Sequence, residues 1–158
     1  IVVSSPLMMD GYWNDTALTR KTMRGGWVHT GDLGRYGDDG YLWFMGRMKD
    51  VIVLGGSNVS PLEVESVLLA HPGVCEACVV GARDLETQVG EVVHAYITSE
   101  CVHEKVTEAE LRQHVAKNLA EYMIPKRFHI VDELPRKGPG KTDRDRLRLR
   151  AESGVDSF

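Results

Sequence analysis

The sequence predicts an α+β fold in two parts. A small β-rich N-terminal piece covers residues 1–48. A compact domain over residues 49–158 comes next, with a small, mostly antiparallel sheet flanked by helices. Two observations carry this. Before Lys49, glycines and aromatics punctuate short apolar runs that lack helical periodicity, the pattern of brief strands and turns. After it, apolar strand-like runs alternate with capped helical stretches in the order β-α-β-β-α-β-α, which suits a small sheet with helices packed on it.

Ile1-Val2-Val3 reads as a strand already under way, so the sequence is expected to be a fragment of a longer chain. Gly26–His29, Leu33–Tyr36 and Tyr41–Gly46 are the next strands. Gly37-Asp38-Asp39-Gly40 is a hairpin signal, because Asp-Gly supplies the positive φ that tight turns need. A short helix is expected within Asn14–Met23, capped by Asn14 or Asp15.

Val51–Leu54 is a fully apolar strand ending in Gly55-Gly56. Pro61 opens a helix to about His71, with Glu63 and Glu65 suited to its positive end and Pro72-Gly73 stopping it. Strands come next at Val74–Arg83 and Val92–Thr98. Thr107-Glu108-Ala109-Glu110 is a capping box, opening a helix to about Leu119. Arg127–Val131 is a further strand. The glycine-containing loop Pro135–Gly140 then leads to a basic helix from about Asp143 to Glu152.

The chain has 158 residues, 42% hydrophobic and 27% charged, enough to fill a core in an ordinary globular protein. A net charge of -4 with no basic block argues against a nucleic-acid binder. No apolar run approaches the roughly 20 residues that span a bilayer, so no transmembrane segment is expected. Ile1–Pro6 also lacks the basic and apolar regions of a secretory signal. Three cysteines, Cys75, Cys78 and Cys101, favour reduced thiols and a cytoplasmic setting. Cys75 and Cys78 have C-x-x-C spacing, but residues three apart on a strand face opposite sides. No second such pair or downstream His completes a zinc site, so no metal ligand set is assigned.

Four stretches could carry chemistry. They are Gly26-Trp27-Val28-His29-Thr30-Gly31-Asp32, Gly46-Arg47-Met48-Lys49-Asp50, Leu54–Glu65 and Leu134–Arg144. Each has a plain reading when taken singly. An Asp after Gly is a common turn residue, and Arg47 with Lys49 is ordinary solvated charge. Gly55-Gly56 can simply end a strand, with Ser57 or Asn58 capping the next element. Gly140-Lys141 resembles half a phosphate-binding loop, but Pro135 stands where the full spacing needs Gly.

Their order is more specific than any one of them. Thr30-Gly31-Asp32-Leu33-Gly34, Gly46-Arg47-Met48-Lys49-Asp50, Asn58-Val59-Ser60-Pro61-Leu62-Glu63-Val64-Glu65 and Gly140-Lys141-Thr142-Asp143-Arg144 succeed one another at plausible separations. The series resembles the last signature motifs of the adenylate-forming enzymes, which include acyl- and aryl-CoA synthetases, luciferases and nonribosomal peptide adenylation domains. The likeness extends to Pro6–Trp13 and covers essentially the whole chain.

The resemblance implies that residues 1–48 end a large AMP-binding domain and residues 49–158 form the mobile C-terminal domain. It also implies a two-step reaction: ATP adenylates a carboxylic acid with magnesium assisting, then the thiol of CoA displaces AMP. By residue-wise likeness, Lys141 is the catalytic lysine, and Asp32 holds the ribose hydroxyls with Arg47 supporting ribose and phosphate. Lys49 is the hinge, and Gly55, Gly56 and Ser57 line the CoA tunnel. A lysine is usual at Gly55 in luciferases and coumarate-type ligases, so light emission is disfavoured. The phosphate loop and acid pocket belong to a large N-terminal domain missing from this sequence, so the fragment is expected to be inactive alone. Two alternatives stay open: an adenylation domain that loads a carrier protein, and a non-catalytic docking module.

Overall fold

The computed structural model describes residues 1–83, 90–99 and 106–154. The chain divides into two compact units, Ile1–Lys49 and Asp50–Phe158.

The first unit is built from short strands. β1 (Val2–Val3) pairs with β3 (Trp27–His29), which also pairs with β2 (Met23–Arg24). Between them, α1 (Thr16–Thr22) is capped by Asp15, whose carboxylate accepts from the Leu18 amide at 2.8 Å. β4 (Asp32–Tyr36) and β5 (Leu42–Arg47) form the expected hairpin. Gly40 sits in its turn at φ +79°, a conformation that glycine adopts without penalty. No residue in Ile1–Lys49 is buried, and Trp13, Trp43 and Phe44 are exposed.

The second unit has its own core. β6 (Ile52–Leu54) and β7 (Ser57–Val59) form a hairpin, and β7 runs almost directly into α2 (Pro61–Leu69). The main sheet has the order β10-β9-β8. β8 (Glu76–Arg83) is antiparallel to β9 (Glu91–Thr98), which pairs in parallel with β10 (Arg127–Ile130). α3 (Glu108–Asn118) starts with the expected capping box between Thr107 and Glu110. β11 (Arg136–Lys137) and β12 (Lys141–Thr142) form a small hairpin before α4 (Arg144–Ser153).

Alternation along β8 sorts its side chains onto two faces. Val79 joins Val64, Leu68, Leu111 and Val115 from α2 and α3. Cys78 and Val80 join Tyr96, Leu134 and Leu147 of α4. The sheet is therefore covered on both sides, which is why β8 and β9 read as continuous apolar runs rather than as alternating ones.

Several local expectations change. Ser57 and Asn58 read as candidate caps of the next element, yet they form β7 by pairing with Leu54 and Val53. The segment before α4 is a hairpin rather than an open loop. Cys78 is a free, buried thiol as expected, whereas Cys75 is disulfide-bonded, contrary to the expectation of reduced thiols. Cys101 lies outside the described residues. No helix among the described residues is long and apolar enough to cross a membrane.

Candidate functional site

In the first unit, Asp32 and Arg47 are direct cross-strand partners of β4 and β5. Gly31, at φ +76°, turns the chain into β4, and its carbonyl accepts from the Met48 amide at 2.8 Å. The Asp32 amide in turn donates to the Thr30 hydroxyl at 3.1 Å. These bonds fix the backbone that carries the Asp32 carboxylate. Arg47 Nε lies 2.8 Å from Asp32 Oδ1, close enough for an ion pair but off the line that a hydrogen bond needs. Asp32 Oδ1 is buried and, among the described residues, has no hydrogen-bond donor. A shielded carboxylate held beside a cation with acceptor capacity to spare can take hydroxyl donors from a ligand.

Lys49 is exposed and sits in a single 3-10 turn, Met48–Asp50. It is the last residue of the first unit, and Asp50 opens the second.

In the second unit, Gly55 and Gly56 form the turn between β6 and β7, at φ +42° and +120°. Ser57 closes it opposite Leu54. A Cβ placed on Gly56 would meet no atom within 4 Å. Its glycine is thus required by backbone conformation, and the space above it is open.

Lys141 occupies the β11–β12 hairpin, paired with Lys137. Gly138 and Gly140, at φ +65° and +79°, shape the turn just before it. The side chain is exposed, and among the described residues no ion pair or hydrogen bond engages its ammonium. The hairpin's base is well tied. The Asp143 amide donates to the Pro135 carbonyl at 2.7 Å, and the Asp143 carboxylate caps α4 through the Arg146 amide at 3.2 Å. The result is a free cation on a fixed mount.

Two features go beyond the sequence expectations, one buried and one half-buried. Glu65 has the position of a helix-dipole residue, but it is buried and ion-paired to Arg144. Burial pushes the Glu65 carboxyl above its ordinary value, while Arg144 and the Val79 amide pull the other way. A signal for this exists: Pro61, Val64, Glu65 and Leu68 have the spacing of one helix face, so Glu65 has to point inward. The second is Glu91, whose carboxylate accepts from the Val53 amide at 3.0 Å and pairs with Arg148. No motif in the sequence announces it.

Residues 63–141 match the family model of the AMP-binding enzyme C-terminal domain. The chain belongs to that family. Similar proteins include the 2-succinylbenzoate–CoA ligase of Bacillus licheniformis, 42% identical over 147 residues. That match covers 93% of this chain and 30% of the relative. The medium/long-chain-fatty-acid–CoA ligase FadD8 of Mycobacterium tuberculosis is 42% identical over 162 residues, covering 98% of this chain and 28% of the relative.

Among solved structures, the o-succinylbenzoate CoA synthetase MenE of Bacillus subtilis, in complex with its acyl-adenylate intermediate, superposes with a TM-score of 0.83 at 40% identity. It covers 93% of this chain and 29% of that one. The amide bond synthetase McbA of Marinactinospora thermotolerans gives 0.88 at 34% identity, covering 96% of this chain and 30% of that one. The chain thus spans about 30% of the length of the relatives it matches, and the second unit contains the family match.

Proposed function

We propose that this chain is the C-terminal part of an ATP-dependent acyl- or aryl-CoA ligase. On this reading residues 1–48 end the large nucleotide-binding domain, and residues 49–158 are the mobile domain after it. The observation that carries it is the free Lys141 ammonium on its anchored hairpin, in a chain whose relatives are named as CoA ligases. The lack of any buried residue in Ile1–Lys49 fits a piece whose core is completed by a larger domain.

In the first step an oxygen of the acid's carboxylate attacks the α-phosphorus of ATP, and pyrophosphate leaves. Two anions must meet, so a fixed cation aimed at the developing charge lowers the barrier. Lys141 supplies it from a long flexible stem. Asp32 accepts hydrogen bonds from the ribose hydroxyls, with Arg47 beside it. Magnesium would accompany the ATP phosphates and share in neutralising their charge.

In the second step the thiol of CoA attacks the acyl carbon, and AMP leaves with the electron pair. Rotation of the backbone at Lys49 would withdraw Lys141 and bring Gly55, Gly56 and Ser57 to the site. The open space over Gly56 suits a narrow thiol arm passing close to the backbone. The acceptor is the variable to test, because McbA shares the fold and is titled an amide bond synthetase.

The experiment uses the full-length ligase that carries this chain. Lys141→Ala should cut pyrophosphate release from ATP and acid by about 10²–10³-fold, while thioester formation from supplied acyl-adenylate persists. Equal loss in both steps, or in neither, would overturn the assignment of Lys141. Offering CoA, an amine and a phosphopantetheinylated carrier in parallel identifies the acceptor. The isolated 158-residue chain should release no pyrophosphate.

A further inference from the structure

The Gly55–Gly56–Ser57 turn is the tip of a hairpin whose strands reach the core through Ile52, Leu54 and Val59. β6 and β7 pair only with each other in the described structure and share no ladder with the β10-β9-β8 sheet. A Cβ on Gly56 would touch nothing within 4 Å, so the tip leans on β6, whose Val53 lies two residues before Gly55. At that point the Val53 amide faces away from β7 and donates 3.0 Å to Glu91 Oε2.

Glu91, at the start of β9, is itself held from two sides. Its other oxygen, Oε1, pairs with the Arg148 guanidinium of α4. Gly81, on the neighbouring strand, leaves the room this carboxylate needs: a Cβ there would lie 3.0 Å from Glu91 Oε2 and 2.9 Å from Ile52 Cγ2. Gly90 completes the seat. It sits at φ +71°, and a Cβ on it would come within 3.1 Å of the Val53 carbonyl oxygen and 3.2 Å of the Gly55 amide nitrogen. Two glycines, one carboxylate and one guanidinium therefore converge on the stem of that turn.

We propose that Glu91 is a positioning residue for the second half-reaction: by anchoring the Val53 amide it sets the place of the Gly55–Gly56–Ser57 turn against the sheet. The inference rests on the reading of that turn as the path of the acceptor thiol. Glu91 touches no reacting atom. It acts through β6, and the geometry it sets is the kind in which a displacement of about 1 Å costs about 10²-fold in rate.

The anchor is a hydrogen bond to a carboxylate oxygen, so the discriminating pair is Glu91→Ala and Glu91→Gln. Alanine removes the acceptor. Glutamine keeps one oxygen for the Val53 amide and drops the charge facing Arg148. Two readouts are taken. Hydrogen exchange is followed in the 158-residue chain over the segment 52–59, and the two half-reactions are measured separately in the full-length ligase.

Glu91→Ala should speed exchange at Val53 and slow thioester formation at least about tenfold more than adenylation, with Glu91→Gln restoring most of both. A glutamine variant as impaired as alanine would make the residue a mere partner for Arg148 and overturn the proposal. So would equal losses in the two half-reactions, or no change in either readout. Should Glu91→Ala fail to fold, Gly90→Ala tests the same seat by pushing on Val53 and Gly55, with the same preferential loss expected. A Gly56→Val control separates the two readings. If it leaves thioester formation intact, the role given to the turn fails and the proposal falls with it. If it blocks the step while Glu91→Ala and Gly90→Ala do not, only the anchor is wrong.

Discussion

Arg144 grips Glu65 and Val79 at the same time. Its Nη2 lies 2.7 and 2.9 Å from the two oxygens of Glu65, and its Nη1 donates to the Val79 carbonyl at 2.8 Å. The Val79 amide donates to Glu65 Oε1 at 2.7 Å, closing a ring of four bonds. β8 is at the end of the main sheet, so Val79 would otherwise present an unpaired amide and carbonyl. The ring satisfies both and joins α2, β8 and α4. α2 comes after the Gly55–Ser57 turn and α4 after the Lys141 hairpin, so the ring ties the elements that follow both loops together.

Removing Arg144 should therefore cost more than an ordinary surface ion pair. Arg144→Ala leaves the Glu65 carboxylate buried without its cation and should destabilise the second unit by about 3 kcal/mol. The loss should shrink as pH falls. With only the Val79 amide left to oppose burial, the folded-state pKa of Glu65 rises further above its unfolded value, and such a group favours the folded state most at pH below the unfolded value. Urea unfolding of the variant and parent at neutral pH and near pH 4.5 reads both effects.

Leu147 is the buried apolar residue of α4, the helix that follows the Lys141 hairpin. It is 1% exposed and packs with Tyr96, Val80 and Cys78, and its carbonyl accepts from the Tyr96 hydroxyl at 3.2 Å. Leu147→Ala should lower stability by about 2–5 kcal/mol, measured by denaturant midpoint. Leu149, on the same helix but 67% exposed, is the matched control, and its alanine variant should change stability little.

Cys78 should be chemically silent in the native protein. Burial pushes its thiol up to about 12, so the thiolate that would react with an alkylating reagent is scarce at neutral pH. Iodoacetamide at about pH 7.5 should leave Cys78 unlabelled until denaturant opens the sheet, as followed by peptide mass spectrometry. Labelling at the rate of a free peptide thiol would contradict the packing of Cys78 against Leu147.

Much of this architecture is legible from pattern because local rules agree with the fold. The capping box at Thr107 and Glu110, the Asp-Gly turn after Tyr36, and the two apolar strands β8 and β9 all stand where propensity and periodicity put them. The features that pattern does not reach are set by tertiary partners. β7 exists because Ser57 and Asn58 pair with Leu54 and Val53, against their own turn preference. Asp32 and Arg47 belong to separate motifs, and their direct opposition depends on the β4–β5 register, including the shift between Leu33 and Gly34. Glu91 gives no local sign of its contacts, since its partners lie 38 and 57 residues away.

The start of α3 offers a pH-dependent signal with a known sign. The Thr107 backbone amide, then its hydroxyl, hold the Glu110 carboxyl below its ordinary value. A carboxyl depressed in the folded state adds stability at pH above its unfolded value and loses it as pH falls through the folded value. Amides at the start of α3 should therefore exchange faster below about pH 4 in the parent, after correction for intrinsic rates. Glu110→Gln should remove that dependence while leaving the rest of the helix protected.

Asp32 and Arg47 provide the last test, directed at the nucleotide. If the Asp32 carboxylate accepts from the ribose hydroxyls, then Asp32→Asn halves its acceptor oxygens and removes the charge that strengthens those bonds. In the full-length ligase, the KM for ATP should rise by about 10–100-fold, the range expected for hydrogen bonds to a charged group. A 2′,3′-dideoxy ATP analogue supplies the matching half of the cycle. It lacks the donors, so the parent's preference for ATP over the analogue should largely vanish once Asp32 is changed. Arg47→Lys keeps the charge near Asp32 but not the planar Nε that lies 2.8 Å from it, and should give a smaller rise. If Asp32→Asn discriminates ATP from its dideoxy analogue as sharply as the parent does, the ribose is held elsewhere and the Asp32–Arg47 pair serves only to join β4 to β5.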